Sequence, residues 1–192
     1  MEFLKKVVLA ISIVFVSPFI LVAKLEQWFS DRENLFAAVG QFLALFPGKV
    51  GKSLRLAYYY CNLEKCAYDA YFSFGVLIPH RTTRIGRRVV VGAYSIIGAV
   101  TLGDDVLIAS RVSITSGKHQ HFTENAEESI TEAKLHFERI SIGRNSWLGE
   151  GAVILATVGE HCTVAAGSVV MKEVQPRCKV AGNPARVIEW KK

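Results

Sequence analysis

A β-solenoid preceded by an apolar helical segment is the fold this sequence predicts, on three observations. Aliphatic residues recur six apart in four sets of three: Ile85, Val91 and Ile97; Leu102, Ile108 and Ile114; Ile142, Leu148 and Ile154; Val158, Val164 and Val170. Seven of the twelve are followed by Gly and two by Ala, so a small residue holds a fixed place in the unit. The hydrophobic content of the chain, 51%, is concentrated in front of this repeat.

A period of six fits neither the alternation of an isolated strand nor the 3.6-residue stripe of a helix, so the hexad is itself the structural unit. Three hexads make one triangular turn, with the aliphatic pointing inward and the small residue letting the corner bend. Four positions after the aliphatics stand Val89, Ser95, Thr101, Val106, Val112, Ser146, Ala152, Cys162, Ser168 and Val174, small or branched residues suited to a second interior slot. The first regular hexad starts at Ile85, and Tyr71 to Ile78 offers an imperfect earlier edge.

Residues 1–48 are read as an apolar helical segment for membrane attachment or oligomerisation, 49–84 as a cap on the open end of the solenoid, and 85–192 as the solenoid itself, with an excursion at 115–141. From Val7 to Ala23 the only breaks in apolarity are Ser12, Ser17 and Pro18, with Lys5 and Lys6 in front. A second apolar block, Leu35 to Phe46, follows a charged hinge at Asp31 to Glu33. The first block is short for a bilayer crossing, which takes about 20 residues. A cleaved signal peptide is disfavoured because no small-residue cleavage site is visible. A single span would put basic flanks on both sides of the membrane, whereas a re-entrant helical hairpin, or helices lying in the interface, keeps Lys49, Lys52 and Arg55 on one face, so monotopic attachment is expected. Burial of these helices between subunits is the alternative.

The net charge of +6 suits anionic lipid heads or a phosphorylated ligand. No recognition motif for nucleic acid accompanies it, and Tyr58-Tyr59-Tyr60 reads as packing for the base of the solenoid. Cys61, Cys66, Cys162 and Cys178 show neither metal-type spacing nor a disulfide framework and read as reduced thiols.

The hexads, together with Ala166-Gly167-Ser168-Val169-Val170 and the ending Val180-Ala181-Gly182-Asn183-Pro184-Ala185-Arg186-Val187-Ile188, resemble the hexapeptide-repeat, left-handed parallel β-helix family, which is dominated by acyl-CoA transferases. The resemblance covers residues 80 to 190. It implies a mainly β, left-handed parallel β-helix, acetyl-CoA as acyl donor, no metal, and a homotrimer with CoA laid along a groove between coils at a subunit interface. Carried onto this chain, the groove would be lined by Gly149, Ala166, Gly167, Ser168 and the turn Asn183-Pro184-Ala185. The phosphates would sit near Lys172, Lys179 or Arg186. Trp147-Leu148-Gly149 resembles the tryptophan-containing repeat beside family active sites, which draws Trp147 and Glu150 into the site.

The repeat stops after Ile114 and resumes at Ile142, and an excursion from a rigid coil is a natural carrier of function. It opens Thr115-Ser116-Gly117-Lys118-His119-Gln120-His121. In the family such a segment presents the catalytic histidine, so His119 is the first choice for the base, with His121 two residues on as support, acceptor ligand or the base itself. An alcohol needs a base at neutral pH, and an imidazole with a pKa of about 6.5 is well matched. Glu150 could polarise such a histidine from an adjacent subunit.

The reading that results is an O-acetyltransferase acting on a saccharide, expected to be a lipid-linked or cell-surface polysaccharide precursor at the cytoplasmic face of the inner membrane. A soluble amino sugar or serine as acceptor, a carbonic-anhydrase-like zinc enzyme using His80, His136 or His161 with His119 and His121, and a non-catalytic solenoid are the rivals. Two departures from the family pattern stand out: the step from Ile154 to Val158 is four residues, at a corner facing the expected CoA groove, and that from Ile97 to Leu102 is five.

Overall fold

The computed structural model describes residues 2–117, 129 and 137–190. Its strands are mostly two or three residues long and stack into three sheets. The first holds β1 (Lys65–Cys66), β3 (Arg84–Ile85), β6 (Val100–Leu102) and β9 (Ile140–Ile142). The second holds β2 (Tyr71–Phe72), β4 (Val90–Val91), β7 (Leu107–Ile108), β10 (Trp147–Leu148), β12 (Thr163–Val164), β14 (Cys178–Gly182) and, antiparallel at its edge, β15 (Ala185–Trp190). The third holds β5 (Ile96–Ile97), β8 (Ser113–Ile114), β11 (Val153–Ile154) and β13 (Val169–Val170).

The chain visits the three sheets in rotation and every pairing except β14 with β15 is parallel, so successive turns stack as a three-sided coil. Val91 lies over Ile108, seventeen residues on. Beyond the excursion, Leu148 lies over Val164 and Val164 over Val180, sixteen residues per turn. The short step after Ile154 is thus absorbed by a smaller turn, in which Val158 bridges both Ile142 and Val174.

All twelve repeat aliphatics are at most 2% exposed. Nine of the ten second-slot residues are buried too, and Thr101 is the exception. The five-residue step before Leu102 shifts the pattern by one, so Val100, at 0% exposure, fills that slot and Thr101 turns outward.

The repeat glycines work differently from the expected bending role. At the first two corners of a turn the left-handed backbone falls two residues later, on Arg88, Tyr94, Asp105, Arg111, Asn145, His161 and Arg177 (φ 53 to 62°), or on Gly151 and Gly167. The glycine after the aliphatic is needed for stacking. A Cβ on Gly143 would lie 2.3 Å from the backbone nitrogen of Glu160 in the next turn, closer than any real contact. At this first corner every regular turn carries Gly, at 86, 103, 143 and 159, whereas the second corner alternates Gly92, Ala109, Gly149 and Ala165.

The coil starts a turn before the first regular hexad. β1 pairs with β3, β2 with β4, and Leu77 bridges Ile96. Phe72 lies nineteen residues before its partner Val91, so this turn is off the period of the rest.

Three helices pack on that end: α1 (Glu2–Phe29), α2 (Asn34–Ala44) and α3 (Gly48–Asn62). Leu9, Ser12, Val16 and Ala23 form the buried stripe of α1. The helix continues through Pro18, which lacks the N–H that would bond Val14; the Ser17 hydroxyl donates to the Val14 carbonyl instead, at 2.8 Å. The Glu26 carboxylate accepts from the first amides of α2, Leu35 at 2.6 Å and Phe36 at 3.0 Å. Tyr58 and Tyr59 are buried, and the Tyr59 ring meets Phe72 with centroids 5.2 Å apart, while Tyr60 is exposed.

Arg55, grouped from the sequence with Lys49 and Lys52 on one basic face at the membrane, is instead 1% exposed. It donates to the carbonyls of Leu43 (3.1 Å), Phe46 (2.7 Å) and Phe72 (3.2 Å), closing the C-terminal end of α2 and tying it to the coil. Arg55→Ala is expected to cost about 3 kcal/mol in chemical denaturation, because it strands these buried acceptors. Arg55→Lys should recover little of it, since one ammonium cannot reproduce the planar fork.

Candidate functional site

Two places on the coil gather the chemistry. The first is the corner between the second and third sheets. There Gly149-Glu150-Gly151, Ala166-Gly167-Ser168 and Gly182-Asn183-Pro184 stack on successive turns. Gly167 N–H donates to Glu150 O at 2.8 Å and Gly151 N–H to Ser110 O at 3.0 Å, while the buried Ser168 hydroxyl accepts from Gly182 N–H at 3.2 Å. A Cβ on Gly149 would meet the Ala166 nitrogen at 2.5 Å, whereas Gly151 and Gly167 face open space. The result is a thin, small-residue edge with exposed peptide groups. Beside it, on the outer face of the second sheet, Trp147, Thr163 and Lys179 are in register.

The structure therefore brings Trp147, Gly149, Glu150, Ala166, Gly167, Ser168, Lys179, Asn183, Pro184 and Arg186 to one region. Lys172 stands apart, just after β13 on the next corner. Lys179 Nζ lies 3.5 Å from a Glu189 carboxylate oxygen, while Arg186 is exposed and bonds only the Ala185 carbonyl among the described residues, at 3.2 Å. Glu150 is exposed and its carboxylate pairs with the Arg111 guanidinium one turn away.

The second place is the root of the excursion. His119 and His121 lie outside the described residues, but the points of departure and return are fixed. Glu138 N–H donates to Ser116 O at 3.0 Å, and the buried Ser116 hydroxyl accepts from Ala99 N–H at 2.8 Å. Gly117, with φ of 80°, packs against Glu138, where a Cβ would approach the Glu138 Cβ to 2.8 Å. On the return, Arg139 and Arg84 converge on the Glu64 carboxylate, with Arg139 Nη2 2.5 Å away.

Next to this root lies a cavity of about 390 Å³ lined by Asp31, Glu33, His80, Thr82, Ala99, Phe137 and Arg139. His80 Nδ1 is 2.8 Å from Glu33 Oε2, and the imidazole packs against Phe137 with ring centroids 4.5 Å apart. Glu33 Oε1 also accepts from Arg81 N–H at 2.7 Å. Burial alone would raise the Glu33 carboxyl pKa; the His80 and Arg81 hydrogen bonds outweigh it and hold the group below the usual carboxylate value. A carboxylate-oriented imidazole beside a polar cavity can bind and orient hydroxyls.

Sequence reasoning treated Glu33 as part of a hinge and His80 as a metal alternative. The two are 47 residues apart, and no local pattern joins them. Among the described residues no three His, Cys, Asp or Glu side chains converge on a metal position, and His161 pairs with Asn145 at 3.0 Å.

The profile of the hexapeptide repeat of succinyl-transferase matches residues 82–116 and 139–172, breaking where the excursion leaves the coil. Residues 82–116 and 139–172 thus carry the hexapeptide repeat. Its similarity to the Escherichia coli K12 protein WbbJ, named as a lipopolysaccharide biosynthesis O-acetyl transferase, is 34% identity over 100 residues, 48% of this chain and 51% of the relative. The chain thus spans about half the length of that curated relative. Among solved structures, a maltose O-acetyltransferase from Clostridium difficile superposes with a TM-score of 0.72 at 21% identity, covering 83% of this chain and 87% of that one. A galactoside acetyltransferase in complex with coenzyme A gives 0.71 at 24% identity, covering 85% and 84%. These structures share their fold with this chain.

Proposed function

We propose that this protein is an acetyl-CoA-dependent O-acetyltransferase that modifies a saccharide hydroxyl by direct transfer, on a coil of left-handed sense, as a homotrimer. The observation that carries the reading is the pairing of two features: a small-residue edge of stacked peptide groups, and an excursion that opens beside a polar cavity. The named activity of WbbJ supports the reaction class and the saccharide acceptor.

Pantetheine is long and thin and suits the edge at Gly149, Ala166, Gly167 and Asn183, with Trp147 alongside. The acceptor would occupy the cavity at the excursion root, its hydroxyls met by His80, Thr82 and Arg139. His119 takes the hydroxyl proton as the oxygen attacks the thioester carbonyl. The carbonyl electrons move to oxygen, where a backbone N–H stabilises the oxyanion. Collapse forms the ester, breaks the carbon–sulfur bond, and the imidazolium returns its proton to the departing CoA thiolate. No acyl-enzyme is formed, so the buried Cys162 and Cys178 have no part in the chemistry.

Arg186 is the cation best placed to meet a CoA phosphate, being exposed and without a carboxylate partner among the described residues. Arg186→Ala is expected to raise KM for acetyl-CoA about tenfold with kcat retained, as loss of one charge-assisted bond implies. An unchanged KM removes Arg186 from the donor site.

The same reading places the protein on the cytoplasmic face of the inner membrane, with a lipid-linked acceptor. α1 is long and apolar enough to cross a bilayer by length and composition. Two ties support an in-plane position instead. Near one end Tyr68 OH donates to Glu2 at 3.3 Å, and near the other Arg81 donates to Ala23 O at 3.0 Å and Glu26 at 2.6 Å. Both anchor residues belong to the coil, so the helix lies along it with an apolar face outward.

A further inference from the structure

Where α1, α3 and the first turn of the coil meet, a groove of about 520 Å³ is lined largely by apolar side chains, Leu4, Val8, Leu56 and Val90 among them. Its charged lining is Lys5, Lys52, Asp69 and Arg88. Two of these are already matched. Asp69 lies 3.6 Å from Arg87 Nε and accepts from Arg88 N–H at 3.2 Å, and the Arg88 guanidinium is held by Asp105 at 2.5 and 2.6 Å.

Lys5 and Lys52 have no carboxylate within ion-pairing distance among the described residues. The Lys52 ammonium sits over the Tyr71 ring, 4.3 Å from its centroid. Burial lowers the Lys52 pKa, and repulsion from Lys5 and Lys49 lowers it further, so the two lysines of the groove meet like charge where Asp69 is already engaged by Arg87. Such a concentration of unmatched positive charge beside an apolar trough is complementary to an anionic amphiphile.

The apolar side of the groove continues outward. Leu4 and Val8 belong to a stripe of α1 that runs on through Ile11, Phe15, Val22, Leu25 and Phe29 at helical spacing, every member exposed. A chain leaving the groove would meet hydrophobic surface along the whole helix.

We propose that the groove binds one anionic phospholipid of the bilayer, its phosphate between Lys5 and Lys52 and an acyl chain against Leu4 and Val8. This rests on the in-plane position of α1 proposed above, and gives it a defined lipid contact. A second copy of this chain, whose net charge is +6, brings no excess of carboxylates to the same spot.

The test is sedimentation of the full chain with vesicles of phosphatidylcholine alone and of phosphatidylcholine mixed with phosphatidylglycerol. Binding should be about tenfold tighter to the mixed vesicles, and Lys52→Gln or Lys5→Gln should each remove about that factor, as loss of one charge-assisted bond to phosphate implies. Lys24→Gln, the same charge change at the other end of α1, should cost far less. Either substitution relieves repulsion, and Lys5→Gln, which gives up no ring contact, decides the matter even where loss of the Tyr71 contact lowers the melting temperature of Lys52→Gln.

Equal losses at Lys24 and Lys52 would mean diffuse surface attraction and overturn the site. Release of the protein from mixed vesicles by inorganic phosphate at unchanged ionic strength would make free phosphate the ligand and overturn the lipid. Equal binding to both vesicle types refutes the groove but leaves the membrane position standing, whereas binding to neither refutes both.

Discussion

Replacing His119 by Ala is expected to lower acetyl transfer by about a thousandfold, within the range that loss of a general base produces. The effect should fall on kcat, with KM for acetyl-CoA little changed, because in the proposed mechanism the imidazole acts on the acceptor proton and not on the donor's length. A saccharide hydroxyl is un-ionised at neutral pH, so without a base the attack on the thioester stalls. The neighbouring histidine is the control. His121→Ala should cost less than His119→Ala, and the reverse order would transfer the role to His121. Replacement of His80, held by Glu33 in the adjoining cavity, should instead raise KM for the acceptor, since this pair is placed to hold hydroxyls.

A loss of stability as large as that expected at Arg55 is expected at Gly143. Its Cβ position is 2.3 Å from the Glu160 nitrogen and 2.5 Å from the Gly159 carbonyl carbon, both backbone atoms that cannot rotate away. Gly143→Ala must separate two turns that are hydrogen-bonded through Gly143 N–H to Val158 O at 2.8 Å. A cost of about 3 kcal/mol is expected, equivalent to a fall in Tm of roughly 10 °C for a chain of this size. Gly151→Ala is the contrast: it has open space but a φ of 68°, so only the left-handed backbone penalty applies, about 1 kcal/mol. Differential scanning calorimetry of the two variants separates the stacking role from the bending role. If Gly151→Ala proved the more damaging, the stacking account would be wrong.

The aliphatic ladder was legible because its period is enforced by the coil itself: each inward residue must recur once per edge, and all twelve named from the sequence are buried. Where the period slips, the sequence misleads. Thr101 was assigned inward by counting, and Val100 is inward because a five-residue step moves the frame. The turn at 65–78 was only partly visible, since its nineteen-residue rise from Phe72 to Val91 matches no hexad. Arg55 looked like a surface cation because its role depends on where α2 ends, information that is absent from its own segment.

The site divides in the same way. The small-residue edge could be read from Gly149, Ala166-Gly167-Ser168 and Asn183-Pro184, since equivalent positions of a repeat stack in space. The cavity could not. Glu33 comes from the hinge before α2, His80 from the coil's first turn and Arg139 from the excursion's return, and only tertiary packing makes them neighbours.

The measurement that bears most directly on the account is mass spectrometry of saccharides, lipid-linked precursors included, after incubation of the full chain with acetyl-CoA, run beside His119→Ala. The account predicts that the intact protein adds one acetyl group to a saccharide hydroxyl with release of CoA, and that the variant adds almost none. Equal acetylation by both proteins, or none from the intact protein across the saccharide panel, would contradict it.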